Sequence, residues 1–161
     1  PRSAAAHNMM GVLLQTEGSV LNLRRAEESY RKAIDLEPNF AQAHNNYGVF
    51  LSKQQRYAEA LQQFEVAGAS LGYDGRASAL ENLGHTALLM GDTARAKKAF
   101  EQSIRADRDA NSLWLGMRLA RLQQDQSRLQ EYALQLQQRY PNSEQYQRYL
   151  KILQTPGTPW K

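Results

Sequence analysis

Apolar and small side chains recur along this chain at helical spacing, in blocks that repeat with a period of about 34 residues. When Gly48 is aligned with Gly84, an alanine follows twelve residues later in both blocks, as Ala60 and Ala96, and a phenylalanine stands four residues beyond each alanine. Small residues at fixed positions are typical of places where two helices pack closely. The pattern therefore predicts helix–turn–helix units that bury their apolar faces only against neighbouring units.

The same pattern predicts nine helices, which form four pairs and one final helix. The predicted helices cover residues 3–16, 22–36, 40–53, 57–70, 75–90, 93–106, 110–123, 126–139 and 143–153. The arrangement resembles the tetratricopeptide repeat (TPR), and the predicted fold class is an all-α TPR helix–turn–helix superhelix. One TPR domain is predicted over residues 1–154, with units at about 3–38, 40–72, 75–108 and 110–141 and a final helix at 143–153. Residues 155–161 are predicted to form a disordered tail.

Glycines occupy one fixed position in the first helix of each unit. Gly48 and Gly84 are expected to let the second helix of each unit approach the first, so a larger residue there is expected to overpack the contact. In the first unit the equivalent residue is Gly11, but Ala26 follows it by fifteen residues rather than twelve. The three extra residues are expected in the turn around 18–21.

Two prolines have the same spacing from these glycines. Pro38 stands ten residues before Gly48, and Pro1 stands ten residues before Gly11. Pro1 is therefore expected to occupy the position of a proline that closes an earlier unit, and at least one more repeat is expected upstream.

Composition favours a soluble helical scaffold. Of the 161 residues, 42% are hydrophobic and 22% are charged, and the formal net charge of +4 is spread along the predicted helices. The absence of cysteine from the sequence excludes disulfides, thiol catalysis and thiolate metal sites. The sequence contains neither a recognisable signal peptide nor an apolar run of the roughly 18 residues that a membrane span needs.

Candidate catalytic or metal-binding residues are few. His7 and His44 occupy the same repeat position, and both are predicted to be packing residues rather than ligands. His85 is predicted on the inner face of the third unit, without the converging ligands that a metal site requires. The sequence shows no nucleophile–base pair and no glycine-rich phosphate loop. It therefore predicts a binding scaffold rather than an enzyme, with no cofactor and no metal.

The first helices of TPR units line a concave groove, which is the predicted surface for a protein partner. Asn46 and Asn82 are equivalent positions one repeat apart, and each amide offers two donors and an acceptor. A ladder of such amides is expected to hold the backbone of an extended peptide, with Val12, Val49 and Leu89 in apolar contact between the rungs. The alternative is that these asparagines cap or bridge neighbouring helices. The predicted groove residues are Met9, Val12, Asn45, Asn46, Val49, Lys53, Ser78, Glu81, Asn82, His85 and Leu89.

One kind of TPR groove is excluded by its residues. TPR cochaperones grip an acidic chaperone tail with lysine, asparagine and arginine at fixed groove positions. Asn46 matches one of these positions, but the expected basic positions hold Asn8, Ser78 and Asn82. The sequence therefore does not predict binding of a chaperone tail.

Nucleic-acid binding is the second alternative, because the C-terminal third is the most basic region. The arginines concerned are Arg105, Arg108, Arg118, Arg121 and Arg128. They are not interleaved with an aromatic platform and form no recognisable binding motif. No nucleic acid is therefore predicted as a partner, and steep weakening of binding with salt would be the observation that revives the idea.

Four segments form an unusual set, namely NNYGVFL at 45–51, GRASALENLG at 75–84, SLWLGMRLAR at 112–121 and LQLQQRYP at 134–141. Together they resemble the type IV pilus biogenesis and stability proteins, the PilF/PilW-like pilotins of Gram-negative bacteria. The resemblance covers roughly residues 1–150 and is strongest in the middle of the chain.

The resemblance implies a non-enzymatic TPR scaffold that assists the outer-membrane localisation and multimer assembly of the pilus secretin. It implies a lipoprotein on the periplasmic side of the outer membrane, with the secretin subunit as its protein partner. The expected state is a monomer that meets the membrane only through a lipid anchor upstream of this chain. A general periplasmic TPR adaptor for another envelope assembly is the alternative.

Two departures from this family stand in the sequence. The lipidated cysteine of the family is missing and would lie upstream of Pro1. The family also carries a further repeat before the segment at 112–121, whereas Arg108 here runs almost straight into Asn111. Either the repeat is absent from this member, or the sequence joins two segments that a repeat separates.

Overall fold

In a computed structural model, the described part of the chain, residues 2–160, consists of nine α-helices joined by short turns and contains no strand. The helices are α1 (Ala4–Glu17), α2 (Val20–Leu36), α3 (Ala41–Lys53), α4 (Tyr57–Ala69), α5 (Arg76–Leu89), α6 (Thr93–Ala106), α7 (Ala110–Leu122), α8 (Gln126–Arg139) and α9 (Glu144–Gln154). Helix α1 packs on α2, α3 on α4, α5 on α6 and α7 on α8, and each pair contacts the next. The prediction of an all-α TPR superhelix is confirmed.

Short polar side chains fix where several helices begin, because they accept hydrogen bonds from free backbone N–H groups of the first turn. Asp92 accepts from the backbone N–H of Arg95 at 3.0 Å and caps α6. Ser143 caps α9 in the same way. At α7, Asp109 and Ser112 form a reciprocal capping box, so the start of this helix is fixed from both sides.

The turn between α1 and α2 is shorter than predicted. Gly18 follows α1 in the left-handed conformation, at φ +72°, and Ser19 already caps α2. Helix α2 begins at Val20 and runs for 17 residues, whereas α4 has 13. The three extra residues of the first unit therefore lengthen its helices instead of the turn around 18–21, which corrects the sequence-based prediction.

One hydrophobic core extends from the first unit into α7. Within it, the ring of Tyr30 in α2 lies 5.8 Å, centroid to centroid, from the rings of both Tyr47 and Phe50 in α3. Aromatic pairs at this distance attract each other beyond the effect of burial. These rings therefore join the first unit to the second.

A carboxylate strengthens the same junction. Glu27 in α2 accepts hydrogen bonds at 2.8 Å from the hydroxyl of Tyr47, from Nη1 of Arg56 and from Nη2 of Arg31. Burial alone raises the pKa of Glu27, but the hydrogen bonds from Tyr47 and Arg56 and the charges of the two arginines outweigh it and lower the pKa overall. The ionised carboxylate thus fastens α2 to α3 and to the turn that follows α3.

Gly48 lies where α3 and α4 approach each other. A Cβ atom added at Gly48 would stand 2.5 Å from Cε1 of Phe64 in α4, as expected for a glycine that lets the second helix come close. At Gly84 the nearest atom is Cδ2 of Leu115 in α7, also at 2.5 Å. Gly84 therefore makes room for the next unit rather than for the second helix of its own unit, which corrects the prediction.

The residues after α9 turn back onto the superhelix. The backbone N–H of Thr158 donates to the carbonyl oxygen of Thr155 at 3.1 Å, and Gly157 between them has φ +96°. The ring of Trp160 stacks on Trp114 in α7, with centroids 5.4 Å apart and planes 10° apart. Residues 155–160 therefore differ from the predicted disordered tail, because a single tryptophan anchors a segment that has no periodic pattern.

Two further expectations concern membranes and the start of the chain. No helix within residues 2–160 combines the length and the apolar character that crossing a bilayer requires. The expectation that Pro1 closes an earlier unit falls outside the described residues.

Candidate functional site

The first helices of the units lie side by side in chain order. Helix α1 contacts α3, α3 contacts α5, α5 contacts α7, and α7 contacts α9. In a TPR superhelix this row of helices lines the concave surface. One extended partner can therefore reach residues of every unit.

Hydrogen bonds between asparagines connect neighbouring first helices. Nδ2 of Asn46 donates to Oδ1 of Asn8 at 3.0 Å, and Nδ2 of Asn82 donates to Oδ1 of Asn45 at 3.2 Å. Asn8 and Asn45 occupy the same repeat position, and the donors Asn46 and Asn82 both occupy the position that follows it. The same asparagine–asparagine hydrogen bond, called a rung below, therefore occurs twice. These contacts match the alternative given in the sequence analysis, in which the asparagines bridge neighbouring helices.

The rungs leave hydrogen-bonding groups for a partner. Each of Asn46 and Asn82 uses one of its two N–H donors in its rung. Among residues 2–160, neither side-chain oxygen accepts a hydrogen bond, and both side chains are partly exposed. Each amide can therefore bridge two helices and bind a peptide backbone at the same time.

The predicted groove residues differ in exposure. The exposed members are Met9, Val12, Lys53, Ser78 and Leu89, and the partly exposed members are Asn45, Asn46, Val49, Asn82 and His85. Glu81 is only 2% exposed, because α7 and the turn before it cover the middle of α5. Glu81 cannot contact a partner, which corrects its place in the predicted binding surface.

Glu81 is a neutral acid at physiological pH. Burial raises its pKa first, and the hydrogen bond to Asp109 and the charges of Asp109 and Asp107 raise it further, to about 9. Glu81 stands at the repeat position of Asn8 and Asn45, yet its buried Oε1 finds no hydrogen-bond partner in the described part of the chain.

A histidine and an arginine link α5 to α7. Nη1 of Arg118 lies 2.6 Å from Nδ1 of His85. Burial, followed by the charges of Arg118 and Arg148, lowers the pKa of His85 to about 3, so the imidazole is neutral and Nδ1 accepts the guanidinium proton. A cavity of about 380 Å³ opens beside the pair and is also lined by Leu89 and Trp114. The ion pair of Glu144 and Arg148 lines it as well, so its wall combines charges of both signs with apolar surface.

The other two histidines are buried packing residues, as predicted. His7 is 8% exposed and His44 is 6% exposed. Nδ1 of His44 lies 2.8 Å from Oε1 of Gln63, and Nε2 lies 2.8 Å from the carbonyl oxygen of Pro38. Across residues 2–160, no group of three or more His, Asp or Glu side chains is arranged to hold a metal ion.

Sequence reasoning missed the part of the groove that α7 supplies. Trp114 stands two residues before Gly116, as Asn46 stands two residues before Gly48, so it occupies a groove position. The same spacing could have identified it as a groove residue. Trp114 is nevertheless only 3% exposed. The ring of Trp160, which stacks on it, is one of the groups that cover it.

Comparisons with known proteins agree with this architecture. Sequence models described as tetratricopeptide repeat match residues 4–40 and 39–109. The type IV pilus assembly protein PilF of Pseudomonas aeruginosa is 34% identical over 184 aligned residues, which include 92% of this chain and 72% of that protein. A solved structure of Pseudomonas aeruginosa PilF, at 33% identity, has a TM-score of 0.61 and covers 94% of this chain and 82% of its own.

A more distant solved structure shares the fold alone. MamA from Desulfovibrio magneticus RS-1 is 19% identical, has a TM-score of 0.73, and covers 89% of this chain and 78% of its own. This likeness reflects the common stacking of helical pairs and carries no statement about function.

The alignment with PilF is longer than the part of this chain that it includes. It spans 184 positions, whereas 92% of 161 residues is about 148, so about 36 positions fall in gaps of this chain. One TPR unit has about 34 residues. The difference agrees with the expectation that relatives carry one more repeat, which the sequence places between Arg108 and Asn111.

The matched repeats cover the first three units, and the similarity to PilF extends over nearly the whole chain. The stacked helical pairs and the row of first helices are the features that these proteins share. The chain therefore belongs to the TPR family and, within it, to the family of the type IV pilus assembly protein PilF.

Proposed function

We propose that this protein is a non-enzymatic scaffold that assists outer-membrane localisation and multimer assembly of the type IV pilus secretin. The observation that carries the proposal is the 34% identity to a type IV pilus assembly protein across 92% of this chain. In this proposal the protein acts as a monomer on the periplasmic side of the outer membrane. A lipid anchor in a segment upstream of residue 1 attaches it there.

The concave row of first helices supports binding of an extended secretin segment. Asn46 and Asn82 offer amide groups at the same position of successive units, and Val49 on the same helix as Asn46 is partly exposed. Amide groups bind a peptide backbone without reading its side chains. Such binding would cover the strand edges of an unassembled subunit and raise the subunit concentration at the membrane.

The proposal is tested by deleting the gene in its own bacterium and immunoblotting membrane fractions for heat- and detergent-resistant secretin multimers. We expect loss or mislocalisation of the multimer while the secretin monomer is still made. Normal multimers in the outer membrane would contradict the proposal. That outcome would favour a general periplasmic adaptor for another envelope assembly.

Replacing Asn46 by alanine is expected to weaken binding of the purified secretin periplasmic domain about tenfold, which corresponds to about 1.4 kcal/mol. The same change removes the rung to Asn8 and is expected to lower the free energy of unfolding by about 1 kcal/mol. Binding is measured by isothermal titration calorimetry, and stability by urea unfolding followed with circular dichroism.

Asn8→Ala is the matched control, because it breaks the same hydrogen bond from the buried side, where Asn8 is only 5% exposed. We expect it to lose similar stability and to keep the affinity. Equal weakening of binding by both variants would show that the rung acts only by positioning α1 against α3. The double variant Asn46→Ala/Asn82→Ala extends the test to the second rung.

A further inference from the structure

Trp160 makes a specific set of contacts with the C-terminal units. Its ring stacks on Trp114 with centroids 5.4 Å apart and planes 10° apart. Tyr149 of α9 closes one side, with its ring centroid 6.0 Å away and tilted by 59°. The guanidinium carbon of Arg121 stands 5.2 Å from the centre of the Trp160 ring. The indole is therefore held by two aromatic rings and a cation.

Two of these contacts come from groove positions of α7. With Gly116 aligned on Gly48, Trp114 corresponds to Asn46 and Arg121 corresponds to Lys53. The packing supports this alignment. A Cβ added at Gly116 would meet Phe100 of α6 at 2.8 Å and then Tyr132 of α8 at 3.1 Å. Tyr132 holds the repeat position of Phe64, which a Cβ at Gly48 would meet. Trp160 therefore lies on the row of positions where the first helices face a partner.

The segment that carries Trp160 reaches this place by a short turn. The side-chain hydroxyl of Thr158 donates to the carbonyl oxygen of Thr155 at 2.8 Å, and the backbone N–H of Thr158 donates to the same oxygen. Beyond the turn, residues 158–160 form no regular secondary structure and lie across α7 and α9. The arrangement is that of a short non-helical peptide seated by one aromatic side chain.

We propose that this end of the groove is a binding site for an aromatic side chain, which Trp160 of the chain itself fills in the free protein. A partner segment that presents a tryptophan, tyrosine or phenylalanine competes with Trp160 for the face of Trp114. Aromatic faces attract flat rings by stacking, and the cation of Arg121 strengthens the attraction for an electron-rich ring. The site thus selects partners by one exposed aromatic residue.

The surroundings suit a peptide better than a free aromatic molecule. The cavity of about 380 Å³ beside His85 and Arg118 shares Trp114 with the stacking site, so it can take residues that flank the aromatic one. Arg118 bears a positive charge, which burial and Arg148 disfavour but do not remove. The carboxylate of Glu144 also lines this cavity, but it forms an ion pair with Arg148, so the charge of Arg118 remains for a partner. A segment with an aromatic residue next to an acidic one would therefore match both parts of the site.

Occupation by the tail has a measurable effect on affinity. If Trp160 occupies the site in about nine-tenths of the molecules, only about one-tenth of the sites are open to a partner. The apparent affinity for that partner is then about tenfold weaker than for an open site. Removing the side chain of Trp160 should therefore improve binding of an aromatic peptide by about tenfold. The helices should be unaffected, because α9 ends at Gln154.

The first measurement uses the two tryptophans of the protein as reporters. The sequence contains two tryptophans, so their stacking predicts one exciton couplet in the circular dichroism spectrum. We expect Trp160→Ala and Trp160→Phe to abolish the couplet while the helical signal is unchanged. A wild-type spectrum without the couplet would overturn the inference.

The second measurement adds a synthetic peptide with the sequence of residues 153–161, and a control peptide in which alanine replaces its tryptophan. We expect the first peptide to restore the couplet in Trp160→Ala and to bind it about tenfold more tightly than the wild type. The control peptide should do neither. Equal binding to both proteins, or no restored couplet, would overturn the inference.

Arg121→Gln in the Trp160→Ala background provides a matched test of the cation. It should weaken binding of the aromatic peptide several-fold and leave the fold intact, because Arg121 is exposed. The inference uses the groove invoked in the proposed function, but the experiment contains no secretin. A negative result here and a negative result in the secretin assay are therefore distinguishable.

Discussion

Replacing Gly48 by alanine is expected to lower the free energy of unfolding by about 1–3 kcal/mol, although alanine is the better helix former. The added Cβ would stand 2.5 Å from Cε1 and 2.7 Å from Cδ1 of Phe64. Phe64 is 1% exposed, so its ring cannot move aside into solvent. The gain in helix propensity, about 0.5–1 kcal/mol, is smaller than the cost of separating α3 from α4. Urea unfolding followed by circular dichroism measures the difference.

Two further variants show whether the contact with Phe64 is the cause. Gly72→Ala is the control, because nothing lies within 4 Å of the Cβ position there, and we expect a change within about 0.5 kcal/mol. Phe64→Leu should rescue Gly48→Ala, so that the double variant is more stable than the sum of the two single effects predicts. A stabilised Gly48→Ala protein would show that α3 and α4 can separate without loss.

Glu81→Gln is expected to remove a large part of the dependence of the free energy of unfolding on pH between 4.5 and about 9. Folding raises the pKa of Glu81 from 4.5 to about 9. Between these two pH values the carboxyl group is protonated in the folded state and ionised in the unfolded state. The stability that this group contributes is complete below pH 4.5 and is lost as the pH rises through 9. The slope is about 1.4 kcal/mol per pH unit for one proton.

Glutamine cannot ionise, and it can still donate to Asp109 as the protonated carboxyl does. We therefore expect Glu81→Gln to be more stable than the wild type at pH 8 by on the order of 2–4 kcal/mol, with nearly equal stability near pH 5. Urea unfolding at half-unit pH steps measures this. The exposed Glu101→Gln is the control for loss of one charge. Parallel curves for wild type and Glu81→Gln would refute a buried protonated carboxyl.

The periodic pattern predicts the helices well, because the glycines of the first helices and the alanines of the second helices mark close contacts between helices, although at Gly84 the contact is with the next unit. It fails at the start of α2, where Val20 and Leu21 are 73% and 59% exposed and do not continue the buried stripe. Helix α2 extends over them because Ser19 supplies the cap. Capping therefore decides this boundary, and apolar periodicity does not.

The groove is predicted less completely, because its chemistry depends on contacts between units. Spacing alone identifies Asn46 and Asn82 as equivalent, but not that each donates to an asparagine of the preceding unit. Burial of Glu81 depends on α7 and Asp109, which are 28 residues or more along the chain. The stacking of Trp160 on Trp114 depends on a turn at a glycine in a segment without a period.

The asparagine rungs also bear on how such a gene changes over generations. At each rung, one unit offers an asparagine acceptor to the unit that follows it, and the following unit offers an asparagine donor in return. An in-frame loss or duplication of one whole unit therefore preserves the hydrogen bond between units wherever both residues are asparagine. At the junction of α5 and α7 the acceptor is Glu81 and the donor position holds Trp114, and the buried carboxyl is left with an unpaired oxygen. Repeat number is thus an inherited length that natural selection can adjust in steps of one unit.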